Sequence, residues 1–506
     1  MGSAINHESK QLSNGSSSLS PSVLTKWERV AAQREWANRL PRERLRAVGR
    51  IAPQIALDQA ELIALSPRAN SSAAEIISSE LLPLADACRY AARVGRRALA
   101  PTTHSIHRGA WWMGRIGVQV TREPWGIVLI LAPSNYPLFL PGVQIIQALA
   151  AGNAVLVKPA VGCEAILHRF AQCIIAAGVP AELLQILDSS ITAGQQAIEE
   201  GVDKVFLTGS ANSGRAVLAQ LSHTLTPSTL ELGGCDSVFV TESANLNRVA
   251  HCLAYALQLN GGATCIAPRR VFVTPTQQET LCRLLVEAVR DVQQMRSEGY
   301  QVPITVAKKL ITAVQQALHE GAELIYGELP KQPSNDATGL NFRPLILRRV
   351  KTEMDVARDD IFAPIVSLLT VPNMNSAIEV DRACPYHLGA SVFGAKIDAE
   401  YWGRLIRAGC VVVNDIVVPS ADPRVSFGGC DQSGWGSTRG WEGLLEMTRP
   451  KSICTRYGNW LPHLDRTNSE NASIMSALLT LVHSPNWRSK FISLKTLISR
   501  RSAPKF

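Results

Sequence analysis

Apolar residues recur at three- and four-residue spacing from Leu24 to about Ala100, as in LLPLADACRYAARVGRRAL, and predict a helical N-terminal segment. The period then changes. In IGVQVTREPWGIVLILAP an alternating stretch runs into a continuous apolar one, the pattern of an exposed strand followed by a buried one. From there strand and helix patterns alternate. GIVLILA, NAVLVKP, LLQIL and DKVFLTGS predict strands; PGVQIIQALAAG, EAILHRFAQCIIAAG, AGQQAIEEG and ANSGRAVLAQLSHTL predict helices. Short apolar strands alternating with helices predict a parallel sheet covered on both faces, with ligands at the carboxyl ends of its strands. A second series begins near Ser237 with SVFVT. It continues through LNRVAHCLAYALQLN, RRVFVTP and QQETLCRLLVEAVRDVQQM to about Asn414. This predicts a second α/β unit, and a cleft where the two units join.

Composition narrows the class. A chain of 506 residues, 46% hydrophobic and 18% charged, suits a soluble globular enzyme of two to four domains. Residues 1–22 are rich in Ser, Asn and Gly and are expected to be disordered. The longest apolar runs are strand-length, short of the roughly 20 residues needed to span a bilayer. The N-terminus lacks the apolar core of a signal peptide, and Asn6 stands where a myristoylation signal needs Ser or Thr. A cytoplasmic location is expected.

The net charge of +9 is local. From Lys451 to Phe506 there are nine Lys or Arg against two acids, a net of +7, which leaves about +2 for the rest. A nearly neutral body argues against nucleic acid as partner. The basic tail sets Trp487, Phe491, Leu494 and Ile498 at helical spacing among Arg488, Lys490, Lys495, Arg500 and Arg501. That pattern suits a docked or solvated terminal helix, and also weak contact with an anionic membrane surface. Eleven scattered cysteines with no Cys-x-x-Cys pair fit a reducing compartment and no metal site.

Five local features carry chemistry, each with a plainer structural reading. Cys265 lies in NGGATCIAPRR, where Gly261, Gly262 and Ala263 leave room for close backbone approach. It reads as a nucleophile beside an exposed N–H, or as a buried thiol. Glu231, in LELGGCDSVFV, reads as a desolvated general base at the junction, or as a strand end on a glycine turn. Asn135, in APSNYPL, is an amide donor for an oxyanion or a turn residue stiffened by prolines. Lys158 ends a strand and could hold ribose or phosphate; it also fits an exposed lysine. TGSANSG puts Gly209 and Ser210 at a helix start that favours an anion, or is simply a cap.

In order and spacing these features, followed by DDIFAPIV and SFGGCDQSGWG, resemble the aldehyde dehydrogenase superfamily over about residues 40–455. The resemblance implies an α/β fold: a Rossmann-like cofactor domain, an α/β catalytic domain and a small β oligomerisation flap. The boundaries expected are 23–233 for the N-terminal helices and NAD(P)-binding domain, with 113–125 part of the flap. The catalytic domain would span 234–425, a return segment and flap strand 426–456, and the tail 457–506. It implies that Cys265 attacks an aldehyde, that Asn135 and the Cys265 N–H hold the oxyanion, and that Glu231 activates the water that hydrolyses the thioester. NAD or NADP would be held by Lys158, Gly209, Ser210, Asp360 and Phe362. Asn414 and Ser426–Gly429 resemble late motifs that close the catalytic domain. A homodimer or homotetramer is implied.

Four departures stand out. Asp360 replaces the family's usual Glu, Ala363 replaces a Gly, and Ala263 replaces a common Gln. Val161 stands where NAD-preferring members often carry Glu, so a 2′-phosphate would meet no repulsion there. The alternatives are a relative that passes the acyl group to coenzyme A or reduces an acyl derivative, and a non-catalytic member of the fold. The retained Glu231 favours hydrolysis over the first.

Overall fold

A computed structural model describes residues 25–499, apart from 69–70, 107–108, 110–112, 114, 294–298, 331–337, 460, 462–463 and 465–468. The N-terminal stretch 1–22 lies outside the described residues, as do Arg500 and Arg501. Two mostly parallel sheets form the body, as the alternating strand and helix patterns require. The first has six strands in the order Gly434–Trp435, Ser228–Glu231, Lys204–Thr208, Ile127–Leu131, Ala154–Lys158 and Leu184–Ile186. All run parallel except Gly434–Trp435. Every residue of Ile127–Leu131 is buried, which accounts for its unbroken apolar run.

The second sheet has seven strands, ordered Glu323–Tyr326, Leu345–Arg348, Ile365–Thr370, Pro268–Val273, Asp236–Val240, Gly389–Phe393 and Cys410–Val413. Only Glu323–Tyr326 runs antiparallel. Helices such as Leu246–Gln258 and Pro275–Gln293 cover one face of this sheet, and Ile304–His319 packs on the other. Helices Pro41–Leu57, Leu82–Ala98 and Phe139–Ala151 share one core over the first sheet.

A third, antiparallel sheet joins distant parts of the chain. Arg115–Pro124 pairs along its whole length with Thr448–Tyr457, and Thr102–His104 adds a short third strand. Two terminal helices, Ser469–His483 and Trp487–Ser499, pack on each other. Trp487, Phe491, Ile492 and Ile498 are exposed there. Among the described residues no helix is long and apolar enough to cross a membrane.

Candidate active site

The strands that carry candidate residues end at one edge. In the first sheet, Ala154–Lys158 and Lys204–Thr208 flank Ile127–Leu131, so Lys158, Gly209 and the loop through Asn135 emerge side by side. Ser228–Glu231 lies next to Lys204–Thr208 and brings Glu231 to the same edge. Lys158, Gly209, Ser210, Glu231, Asn135, Cys265, Asp360 and Phe362 all line one cleft of about 600 Å³.

Cys265 follows a short turn, Leu259–Gly262, in which Asn260, Gly261 and Gly262 have φ of 52°, 59° and 75°. These are left-handed values that glycine adopts without strain. A side chain at Gly262 would run into the backbone of Ala363, and one at Gly261 would press on Tyr300. The loop is pinned by the buried guanidinium of Arg269, which donates to the carbonyls of Gly262 (2.7 Å) and Ala363 (3.0 Å). The Asp360–Pro364 loop is thereby held against the cysteine loop.

Asn135 is fixed from two sides. Its own side-chain oxygen accepts the Tyr136 N–H at 3.0 Å, which leaves its amide N–H₂ for a ligand. Its carbonyl accepts from Asn260 Nδ2 at 2.9 Å. Asn260 in turn accepts from Arg68 Nε (3.1 Å) and donates its backbone N–H to Glu75 (3.0 Å). Arg68 also pairs with the fully buried Glu80, whose carboxylate receives the N–H groups of Leu138 and Phe139 where the helix Phe139–Ala151 begins. The Tyr136 hydroxyl bonds the Thr264 hydroxyl at 2.7 Å, one residue before Cys265. One polar network therefore sets Asn135 and Cys265 together.

Glu231 is 1% exposed. Its Oε2 accepts from the Thr438 hydroxyl, and its Oε1 is buried with no hydrogen-bond partner. Burial raises its pKa, against the opposing pull of the Arg439 guanidinium and the Thr438 bond. The return segment fixes this strand: Gly434 pairs with Glu231, and Ser433 exchanges bonds with Leu232 and Gly233. Burial also raises the Cys265 thiol, aided by Glu231 and Asp236 and opposed by Arg439. Asp236, itself buried, is pushed well up by the same desolvation. Burial lifts Asp360 to about 7. Lys158 is half-buried, and its pKa is lowered by desolvation.

Sequence reading missed Arg68, Glu75, Glu80, Asn260, Thr438 and Arg439. The first three stand in the helical N-terminal segment, and only the fold brings them to the cleft. Thr438 and Arg439 lie in SGWGSTRGW, just beyond the quoted late motif, where a basic residue beside apolar ones was the available signal.

The cleft suits a dinucleotide. Between the helices Ile191–Glu200 and Ala211–Leu221 its wall is formed by Ile191, Gly194, Ile198 and Val217, a slot for a flat ring. Ser210 caps the second helix, and Gly209, Ser210 and Ser213 line the cleft at its N-terminus, where the helix dipole favours an anion. Asp360 Oδ1 is buried without a hydrogen-bond partner, an acceptor in want of a donor. A Cβ at Gly233 would collide with this carboxylate.

Residues 28–453 match the family model described as "Aldehyde dehydrogenase family". The chain belongs to the aldehyde dehydrogenase family. Among its relatives, an aldehyde dehydrogenase from Mycolicibacterium smegmatis, provisionally named succinate-semialdehyde dehydrogenase [NADP(+)], is 28% identical over 433 residues, covering 84% of this chain and 82% of that one. A 4,4'-diapolycopene aldehyde oxidase from Methylomonas sp. is 26% identical, over 77% and 74%. The solved NAD-dependent aldehyde dehydrogenase from Sinorhizobium meliloti superposes with a TM-score of 0.76 at 27% identity, over 85% of this chain and 87% of that one. This aldehyde dehydrogenase is an NAD(P)-dependent oxidoreductase acting on aldehydes.

Proposed function

We propose that the enzyme oxidises its aldehyde to a free carboxylic acid, with Cys265 as nucleophile, Asn135 as oxyanion donor and Glu231 as general base. The observation that carries this reading is the shared cleft: these three residues line it together with the five expected to hold the cofactor. Cys265 Sγ adds to the carbonyl carbon, and the oxyanion is received by Asn135 Nδ2 and the Cys265 backbone N–H. When bound, the oxidised nicotinamide supplies the electron acceptor. Glu231 Oε1, free of any internal partner, takes the proton of the water that releases the acid. Thr438 holds the other carboxylate oxygen and so fixes which one faces that water.

Lys158 and the Gly209–Ser210 turn hold the adenosine and pyrophosphate side, and Asp360 the nicotinamide ribose. Val161 is exposed beside Ala160 on the cleft rim, in keeping with acceptance of a 2′-phosphate. The two named relatives act on aldehydes that share little beyond the carbonyl, so their names do not fix the substrate. Replacing Cys265 with Ser is expected to lower aldehyde-dependent NAD(P)H formation at least about 10³-fold. Undiminished oxidation by that variant would remove the reading. Product analysis separates it from its rival, because an acyl-CoA product in place of free acid would favour acyl transfer.

Among the described residues the long strand Thr448–Tyr457 has an unpaired edge, which suits pairing with a second copy in a dimer or tetramer. The exposed apolar residues of Trp487–Ser499, with Arg488, Lys490 and Lys495, suit weak contact with an anionic membrane. Co-sedimentation with phosphatidylserine vesicles should be lost on truncation at Tyr457. Equal sedimentation of both forms would place any contact elsewhere.

A further inference from the structure

Two short strands, Tyr386–His387 and Cys430–Asp431, pair antiparallel, with His387 opposite Cys430 and Tyr386 opposite Asp431. The pairing gathers three residues with donor atoms for a metal ion. The His387 ring, the Cys430 thiol and the Asp431 carboxylate each offer one ligand atom, and these atoms lie within 4.8 Å of one another. Spacing along the chain gave no sign of this, because His387 stands 43 and 44 positions before the other two. None of the three lines the cleft that holds Cys265.

The surroundings of His387 point to a cation. The ring is buried, and its two nitrogens face different partners. Nε2 lies 3.3 Å from the Asp381 carbonyl, which can only accept, so Nε2 carries a proton. Nδ1 lies 2.9 Å from Asp431 Oδ2. In the neutral ring that nitrogen is a lone-pair acceptor, and a carboxylate oxygen is another. Two acceptors at this distance need a positive centre between them, either a second ring proton or a metal ion. Arg407 Nη2 donates to Asp431 Oδ1 at 2.8 Å, which leaves Oδ2 to face the ring. Cys430 Sγ, 3.8 Å from the His387 carbonyl, adds a soft ligand beside the pair. A thiolate and a carboxylate outnumber the one guanidinium in contact with them, so the set stays negative toward a divalent ion. Asp431 is exposed and Cys430 half-buried, which gives an entry path and a fourth position for water.

We propose that His387 Nδ1, Cys430 Sγ and Asp431 Oδ2 form a zinc site. Nitrogen, sulfur and oxygen donors roughly 3–4 Å apart suit tetrahedral bonds of about 2.0–2.3 Å. As the sulfur–zinc bond forms, the Cys430 S–H proton passes to solvent. The ion acts as a clip. The His387 N–H donates to Ser433 Oγ at 3.0 Å, Ser433 Oγ donates to the Gly233 carbonyl at 2.8 Å, and the Ser433 carbonyl accepts from the Leu232 N–H at 3.1 Å. Joining Tyr386–His387 to Cys430–Asp431 therefore fastens the segment that seats the Glu231 strand.

The test uses the full chain freed of metal. Cys265 is itself a thiol that takes zinc, so every arm carries Cys265→Ser. Zinc is titrated in competition with a chromogenic chelator, thermal unfolding is followed in parallel, and cobalt(II) serves as the absorbing probe. One zinc per chain should bind, the Tm should rise by roughly 2 °C or more, and cobalt should show a thiolate charge-transfer band. Cys430→Ser should remove the band and the Tm rise, and Asp431→Asn should weaken zinc binding at least about tenfold. Both positions reach solvent, so folding is not at stake in these variants. No zinc bound at micromolar free metal overturns the proposal and leaves a proton between His387 and Asp431. Zinc held equally by Cys430→Ser and Asp431→Asn overturns it too, because the ion then sits elsewhere.

Discussion

The cofactor-facing wall and the wall around Arg439 are built differently. Lys158 and Gly209 stand at the ends of strands that flank Ile127–Leu131, so hydrogen-bonded register alone sets them side by side. Backbone groups and half-exposed polar atoms line the cleft there. Glu231 stands at the same sheet edge, but Thr438 and Arg439 come to it from a segment more than 200 residues away, and all three are buried. Charge is concentrated on that side in a poorly solvated setting, where each group changes the protonation of its neighbours. The difference teaches that a parallel sheet can present a cofactor edge by topology, whereas a reacting centre depends on which charges are buried together.

Changes on the buried wall should therefore act on chemistry and changes on the strand edge on affinity. After Cys265 itself, the largest effect is expected at Glu231. Glu231→Gln should lower steady-state turnover about 10²–10³-fold while an initial burst of NAD(P)H survives, because the acyl-enzyme still forms. Loss of the burst together with turnover would show that Glu231 acts before acylation, and rapid-mixing absorbance decides between them.

A smaller effect is expected on the strand edge. Val161→Glu should raise the KM for NADP roughly tenfold and change kcat little, since a carboxylate would repel the 2′-phosphate. In the parent, a preference for NAD above about 100-fold would contradict the open rim.

The smallest effect concerns Asp360, which the sequence placed at the cofactor and the fold buries. Its carboxyl is raised to about 7 in the folded chain and titrates near 4 when unfolded. The folded state thus binds the proton more tightly. The stability this supplies is present below about pH 4 and lost as pH rises to about 7. Asp360→Asn, which does not titrate, should gain Tm relative to the parent by roughly 2 °C between pH 5 and 7, and level off above. A difference that does not change with pH would show that the carboxyl is solvated.

Much of the fold was legible because its signals are local. Unbroken apolar runs such as Ile127–Leu131 mark strands covered on both faces, and the glycines before Cys265 mark a left-handed turn that packs on Ala363 and Tyr300. The network through Arg68, Glu80 and Asn260 was not legible. These residues are 12 to 192 positions apart, and in sequence each looks like an ordinary polar residue on a helix or loop. The third sheet had no local signal either: Arg115–Pro124 alternates like any exposed strand, and only the family resemblance pointed to a partner strand within 426–456.

By itself the sequence determined the kind of sheet and singled out the candidate side chains that the fold gathers in one cleft, because periodicity, glycine placement and residue chemistry act over a few neighbours. Only the tertiary structure decided that Glu231 keeps one oxygen without a partner, that burial lifts Asp360 to about 7 and that Arg439 alone of the buried arginines among the described residues lacks an acceptor. Desolvation and hydrogen-bond satisfaction are properties of what surrounds an atom in space, and a chain does not state them until it is folded.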